Sequence, residues 1–412
     1  MKIKTPTRKR FIILLIPLSI IFCLLLAIPS CMEMFVPARF RTDYFKQTQL
    51  EATRIDDDYQ FIQFEGNHYD LGLKMGAAFQ ELGLDLVEIP PEKKRHYLAQ
   101  LETISHYKPE WIDYCRGIAA AYKLEYEEAS KKYNLFPIAM NIHFSCSAVF
   151  VNSTATIQKE NYVARNFDFP EMHGNLWRTR LKNSYQVIGH DTHFCYPALM
   201  DGMNEYGLSV ILNAVTDTTH SEKKWAYPLP EYTGIEACYF TRMILETCKD
   251  AEEARALIKK IPVFSEGPPS HFLVADKQGD SFIVEFSYKS DGRATIIERP
   301  SNKYYQILTN FNMNTNGYNG NLGYKEGPCV RYAFLDTYFG NIGKSVSMDS
   351  IHDALYAVRM SEQTSEMAQG FTGISTQIQL IYNLNQLKAV VYFPSSNFKD
   401  GYTIYMHKSL NY

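Results

Sequence analysis

No Gly-x-Ser-x-Gly elbow occurs in this chain, which tells against the common serine-hydrolase architecture. Its cysteines lack tight spacing. Of the eight, Cys23 and Cys31 fall in an apolar leader. Setting Cys146 aside leaves Cys115, Cys195, Cys238, Cys248 and Cys329, an odd number with neither a disulfide framework nor a zinc pattern. The eleven histidines supply no metal motif beyond the pair His190 and His193; chemistry on a cysteine needs no metal or organic cofactor, and none is expected. No repeat of about 20–50 residues is visible, which argues against solenoids and propellers. Apart from the N-terminus, no long stretch carries one sign of charge. With 42 basic and 45 acidic residues the net charge is −3, no footprint for nucleic acid.

What is present is a globular composition, 46% hydrophobic and 14% aromatic, in a chain of 412 residues. That length suits two or three domains and a large core. At the start, Lys2, Lys4, Arg8, Lys9 and Arg10 precede an uncharged run from Phe11 to Met32. Its aliphatic part, residues 11–28, would span about 27 Å as a helix, close to the hydrocarbon thickness of a bilayer. A basic head and an apolar run fit either a signal peptide or a retained membrane anchor, with Ser30-Cys31 a further candidate for lipidation. Each alternative places residues 37–412 outside the cytosol, membrane-anchored or secreted.

Residues 37–58 read as a linker. Tyr59–Glu65 alternates as a strand. Tyr69–Leu86 reads as a helix, with Gly72 and Gly76 on one face for close helix packing. Glu92–His106 is a further element, and Pro109 starts a helix running to about Tyr133. Residues 37–145 therefore form a linker and mostly helical segment. Then the texture changes. Cys146–Ser153 and Asn161–Phe169 read as strands of a hairpin, followed by strands at Thr192–Met200 and Gly207–Asn213. Helices are expected at Ile235–Thr247 and Ala251–Ile261, the latter capped by Asp250. His271–Ala275 and Ser281–Phe286 form a hairpin around Asp276-Lys277-Gln278-Gly279-Asp280. Strands at Ala294–Glu298 and Tyr304–Thr309, a helix at Met348–Val358 and a hairpin of Gln377–Tyr382 with Lys388–Phe393 complete the reading. This pattern suits stacked antiparallel sheets covered by helices.

Cys146 stands at the head of the first strand after the helical segment. As an ordinary free cysteine it would be a buried structural thiol. As an N-terminal residue it would carry its own general base, since an α-amino group has a pKa of about 7.7–8.0. Arg165 could then favour thiolate, and Asp168 could orient the amine. On a regular strand Arg165 and Asp168 face opposite sides, so a bulge or strand end after Asn166 is expected. Asn213 and Asn310 each end an apolar run, where an amide could hold an oxyanion or simply cap a turn.

Together these runs are no longer generic. In order they are Cys146-Ser147, Ala164-Arg165-Asn166-Phe167-Asp168-Phe169, Met203-Asn204-Glu205-Tyr206-Gly207-Leu208 leading to Asn213, Arg242–Cys248, Phe272–Asp276, Val284-Glu285-Phe286 and Leu308-Thr309-Asn310-Phe311. With Phe64-Glu65-Gly66-Asn67-His68-Tyr69-Asp70-Leu71-Gly72 upstream, the chain resembles the N-terminal-nucleophile (Ntn) hydrolases of the choloylglycine hydrolase and acyl-CoA:6-aminopenicillanate acyltransferase type. That group also includes acid ceramidase-like amidases. The resemblance implies an α+β fold, a four-layer αββα sandwich of antiparallel sheets over residues 146–412, preceded by a helical pro-segment. It implies self-cleavage between Ser145 and Cys146 and a catalytic set of Cys146, Arg165, Asp168, Asn213 and Asn310, the last an oxyanion-hole asparagine. The activity implied is hydrolysis of linear, non-peptide amides of small N-acyl compounds. Acyl transfer from a thioester to an amine, or a non-catalytic surface binding domain, are the alternatives. Ser145 stands where self-cleaving relatives often have Gly.

Overall fold

The structure is a computed structural model. It describes residues 50–81, 83–136, 145–170, 174–192, 198–215, 234–264, 269–286, 293–311, 313, 328–361 and 374–407. The apolar run at 11–28 and the linker up to residue 49 lie outside the described residues. Among those described, no helix is long and apolar enough to cross a membrane.

The described residues form one compact unit. It opens with strands β1 (Glu51–Arg54) and β2 (Tyr59–Gly66), then helices α1 (His68–Glu81), α2 (Lys94–Tyr107), α3 (Glu110–Ala121) and α4 (Tyr126–Lys132). Strands β3 (Ser145–Val151), β4 (Tyr162–Pro170), β5 (Gly174–Leu181), β6 (Val187–Thr192), β7 (Asp201–Asn204), β8 (Ser209–Ala214) and β9 (Ile235–Glu236) follow. Next come α5 (Ala237–Thr247), α6 (Ala251–Ile258), β10 (Val263–Phe264), β11 (Ser270–Ala275), β12 (Ser281–Phe286), β13 (Ala294–Glu298) and β14 (Tyr305–Leu308). The chain continues through α7 (Pro328–Ile342), α8 (Met348–Ala357), β15 (Ile374–Asn383), β16 (Lys388–Tyr392) and β17 (Gly401–Tyr405).

The expected helix from Pro109 to Tyr133 is two helices, because the chain turns at Lys123, whose φ is +57°. No glycine or proline marks that turn, so periodicity carries straight through it. The strand expected at Thr192–Met200 is displaced: the chain is extended at Val187–Thr192 and again at Asp201–Asn204, and 193–197 lie outside the described residues. Asp250 does cap α6, accepting the Glu253 N–H at 3.0 Å.

Two large sheets carry the fold, one of nine strands ordered β1-β2-β5-β6-β7-β8-β11-β12-β13 and one of six ordered β14-β3-β4-β15-β16-β17. Neighbours within them are antiparallel except β2 and β5, which run parallel. β3 and β14 lie against β8 and β11, so the sheets pack face to face. α5 covers the outer face of the nine-stranded sheet at β7 and β8, and α7 and α8 cover the six-stranded sheet. The layers therefore run helix, sheet, sheet, helix.

The upstream segment is built into this stack. β2 lies inside the nine-stranded sheet, and Trp111 of α3 donates its indole N–H to Glu246 of α5 at 2.9 Å. Glu246 also accepts from Arg242 at 2.5 Å and Ser184 at 3.1 Å, and lies 3.4 Å from His68 and 3.8 Å from Lys108. Burial alone would raise its pKa, but Arg242, His68 and Lys108 hold it well below the ordinary glutamate range.

Candidate functional site

β3 has the sequence Ser-Cys-Ser-Ala-Val-Phe-Val and is central, hydrogen-bonded to β4 on one side and β14 on the other. Alternation sends Cys146, Ala148 and Phe150 toward the inter-sheet core, where they join Phe167 and Phe169 of β4. Val149 and Val151 face the other way, under α7 and α8. Cys146 is 1% exposed, so its sulfur is closed to solvent while the chain is intact.

Arg165 shares the inner face, directly opposite Ala148 in the ladder. Its Nη2 donates to Cys146 Sγ at 2.9 Å, and its Nη1 donates to Asp201 Oδ2 at 2.9 Å and to the Met200 carbonyl at 3.2 Å. Asp201 is fixed in turn by the Tyr382 hydroxyl at 2.5 Å and by His190 Nδ1 at 3.1 Å. Burial pushes the Cys146 thiol up, and Arg165 pulls in the opposite direction without cancelling it. Burial would raise Asp201 as well, yet His190 and Arg165 outweigh it and leave that carboxyl below its usual value. Arg165 is thus a buried cation with a permanent counter-charge on one side and the thiol on the other.

Asp168 lies on the opposite face of β4. The bulge expected in this strand is absent: Tyr162–Val151 through Asp168–Ser145 pair without a shift, and the irregularity sits in the neighbouring strand, between Thr376 and Ile378 of β15. Asp168 therefore does not share Arg165's side. Its Oδ1 accepts from Thr376 at 2.5 Å and its Oδ2 from Arg331 at 3.2 Å. Burial raises its pKa to about 6, against the pull of Arg331 and Thr376.

Arg331 joins the parts. Its Nη1 reaches both Asp168 and Ser147 Oγ, the latter at 2.8 Å, while its Nη2 donates to Asn310 Oδ1 at 2.9 Å. Asn310 Oδ1 also accepts the backbone N–H of Cys146 at 2.5 Å. Asn310 Nδ2 donates to the Ala214 carbonyl at 2.7 Å. These three partners fix the amide so that its oxygen, not its N–H group, addresses Cys146. Asn213 is close by on β8; its Nδ2 donates to the Leu308 carbonyl at 3.2 Å and its buried Oδ1 has no hydrogen-bond partner among the described residues. Asn310 thus meets Cys146 as an acceptor rather than as the oxyanion donor that the resemblance implies, while the Asn213 amide N–H is spent on the Leu308 carbonyl.

All five expected residues thus lie in one buried region, with Arg165 on the sulfur, Asn310 on the nitrogen, and Asp168 one link away through Arg331. Sequence reasoning missed Arg331, Asp201 and Thr376. Arg331 sits on α7, which went unread although Pro328 at its first turn and the buried pair Leu335 and Phe339 signal a helix. Asp201 lies just past the strand expected at Thr192–Met200 and heads β7 instead. His190 and His193 form no described metal pair: His190 faces Asp201, and His193 lies outside the described residues. Cys115, Cys146, Cys238, Cys248 and Cys329 are buried thiols, none in a disulfide among the described residues. An open cavity of about 700 Å³, lined by Glu65, Asp70, Lys74, Arg178 and Arg180 among others, touches none of the site residues.

Residues 156–325 match the profile of a family described as acyl-coenzyme A:6-aminopenicillanic acid acyl-transferase. The stretch contains Arg165, Asp168, Asn213 and Asn310, but begins after Cys146 and ends before Arg331. Over that stretch this bears out the resemblance to the acyl-CoA:6-aminopenicillanate acyltransferase type read from the motifs. An uncharacterized protein of Paramecium bursaria Chlorella virus 1 is 28% identical over 109 residues, 25% of this chain and 37% of that protein. The chain therefore spans little more than a third of that relative. Among solved structures, a mutant of the conjugated bile acid hydrolase from Clostridium perfringens aligns with TM-score 0.47 and 18% identity, over 64% of this chain and 93% of the other. Penicillin V acylase from Agrobacterium tumefaciens gives 0.47 and 19%, over 64% and 86%. An N-acylethanolamine-hydrolyzing acid amidase ortholog from Caenorhabditis elegans gives 0.41 and 16%, over 63% and 99%.

Proposed function

We propose that this chain is a cysteine Ntn amidohydrolase that frees its own nucleophile by scission of the Ser145–Cys146 bond and cleaves linear, non-peptide amide C–N bonds of N-acyl compounds. The observation that carries the reading is the double grip on Cys146. Arg165 donates to its sulfur, and Asn310 accepts from the nitrogen that scission would turn into an amine. An ordinary core cysteine has no need of a buried guanidinium, because a cation in the interior is costly unless paired. The layer order supports taking the fold as the Ntn αββα sandwich, with residues 37–145 as its linker and pro-segment.

In the scission step, Cys146 Sγ attacks the Ser145 carbonyl carbon. The acyl group moves from nitrogen to sulfur, the thiol proton ends on the new amine, and water hydrolyses the thioester to a Ser145 carboxylate and a free thiol. In turnover, the α-amine takes the thiol proton and the thiolate attacks the substrate carbonyl. The α-ammonium then protonates the departing amine, and water releases the acid. Asn310 Oδ1, which accepts the Cys146 N–H in the intact chain, would hold the α-amine. For Asn310 to serve the oxyanion as well, its Nδ2 must leave the Ala214 carbonyl. The second reading, transfer of an acyl group from a thioester to an amine, is favoured by the description of the matching family. The basic head and apolar run at residues 1–36 support export or anchoring outside the cytosol.

The test is to purify residues 37–412 with and without Cys146→Ala and to follow intact mass, the new N-terminus and hydrolysis of a panel of acyl amides. Two fragments from the wild type, one beginning Cys-Ser-Ala, a single chain from the variant, and amide hydrolysis by the cut form alone are expected. An uncut wild type that hydrolyses the same amides would overturn the proposal. Trapping of the acyl group by added amine in place of water would decide for transfer.

A further inference from the structure

The inner face of the nine-stranded sheet carries a row of three buried polar residues that the chemistry above does not use for bond making. Asn213 on β8, His271 on β11 and Glu285 on β12 stand directly opposite one another in the ladder. All three reach across the inter-sheet space to one short stretch of chain, the one that carries Asn310. Asn213 Nδ2 donates to the Leu308 carbonyl at 3.2 Å, and His271 Nε2 lies 2.6 Å from the Thr309 carbonyl. Glu285 Oε1 accepts the Met313 N–H at 2.6 Å, and Asn310 returns the contact through Nδ2 to Ala214. A carbonyl oxygen only accepts, so the proton of that short bond sits on His271 Nε2. The other ring nitrogen, Nδ1, is 3.6 Å from Glu285 Oε1, which backs the ring from the far side.

We infer that His271 is a positioning residue: by holding the Thr309 carbonyl it fixes the Thr309–Asn310 peptide, and through it the seat of Asn310 Oδ1 on the Cys146 nitrogen. The inference rests on the reading of Cys146 as a nucleophile freed by scission. A histidine that merely filled the core would be expected to satisfy itself on its own sheet. Here it bonds to the residue immediately before Asn310, just past β14 of the opposite sheet, and Asn213 and Glu285 hold Leu308 and Met313 of the same stretch. Displacing a reacting geometry by about 1 Å can cost on the order of 100-fold in rate, and that is the scale at which a lost carbonyl tether would act.

The experiment uses the full chain with His271→Gln, whose amide N–H reaches the place of Nε2, and His271→Leu, which fills the space without a donor. The rate at which the Cys146 N-terminus appears, kcat and KM on an amide that the wild type hydrolyses, and the melting temperature are measured together. His271→Leu is expected to slow scission and kcat by roughly 100-fold with KM within about two-fold, and His271→Gln to recover to within roughly ten-fold of wild type. In an Asn310→Ala background the same Leu substitution should add less than about three-fold, because its effect runs through Asn310. Should the Leu variant fail to fold, His271→Asn, too short to reach Thr309, carries the same expectation. An active wild type matched by the Leu variant, or a Leu effect undiminished beside Asn310→Ala, would sink the assignment of His271 alone. A wild type that neither cuts nor hydrolyses would sink the nucleophile itself, and His271 with it.

Discussion

Asp168 and Cys146 are neighbours across β3 and β4, both are buried, and burial drives both toward their uncharged forms. For Asp168 this has two consequences of opposite sign. Its folded pKa of about 6 lies above the unfolded value, so its contribution to stability is full below about pH 4 and is lost as the pH rises through 6. The ion pair with Arg331, by contrast, forms only as the carboxyl ionises. The rate of Cys146 N-terminus formation should therefore climb through about pH 6 in the wild type and lose that limb in Asp168→Asn. Over the same range, thermal melts should move in favour of the Asn variant by up to about 3 kcal/mol, the free energy of a two-unit shift. A limb that persists in the variant would assign the titration to another group, such as Asp191, which burial also raises to about 6.

At the scale of elements, the packing of α1 on α3 sets how the upstream segment folds. Gly72 and Gly76 were legible as a close-packing face from their spacing alone, and the structure bears this out. A Cβ on Gly72 would stand 2.1 Å from the Tyr114 carbonyl oxygen, and one on Gly76 2.6 Å from the Ala121 Cβ. Because the obstacle at Gly72 is backbone, the helices must separate to admit a methyl group. Gly72→Ala should lower stability by about 1–3 kcal/mol, read as a shifted denaturation midpoint with an unchanged slope. The hairpins β3–β4, β11–β12 and β15–β16 were likewise legible, since each is local and announces its turn. Arg331 was not, because it acts 185 positions from Cys146 and no pattern around it differs from that of an ordinary helix. Asp168 was found but assigned to the wrong face of its strand, since the need to touch Cys146 suggested a bulge that a second cation makes unnecessary. Alternation was the sounder guide there.

Across the whole molecule, the bond before Cys146 joins two stretches that share one sheet and one buried ion cluster. Glu246 collects Trp111, His68 and Lys108 from upstream and Arg242 and Ser184 from downstream. Removing one member of such a buried cluster commonly costs about 3–5 kcal/mol, so a cut at Ser145 would leave the two pieces firmly joined. The parallel pairing of β2 with β5 has a further consequence, for manufacture rather than for catalysis. A gene that starts at Cys146 would make a protein whose β5 presents an unclaimed row of amide and carbonyl groups, the template on which chains stick to one another. Such a protein should collect in inclusion bodies. Separately encoded residues 37–145, made in the same cell, should return it to solution, and a product that is soluble without them would show that β5 tolerates a bare edge.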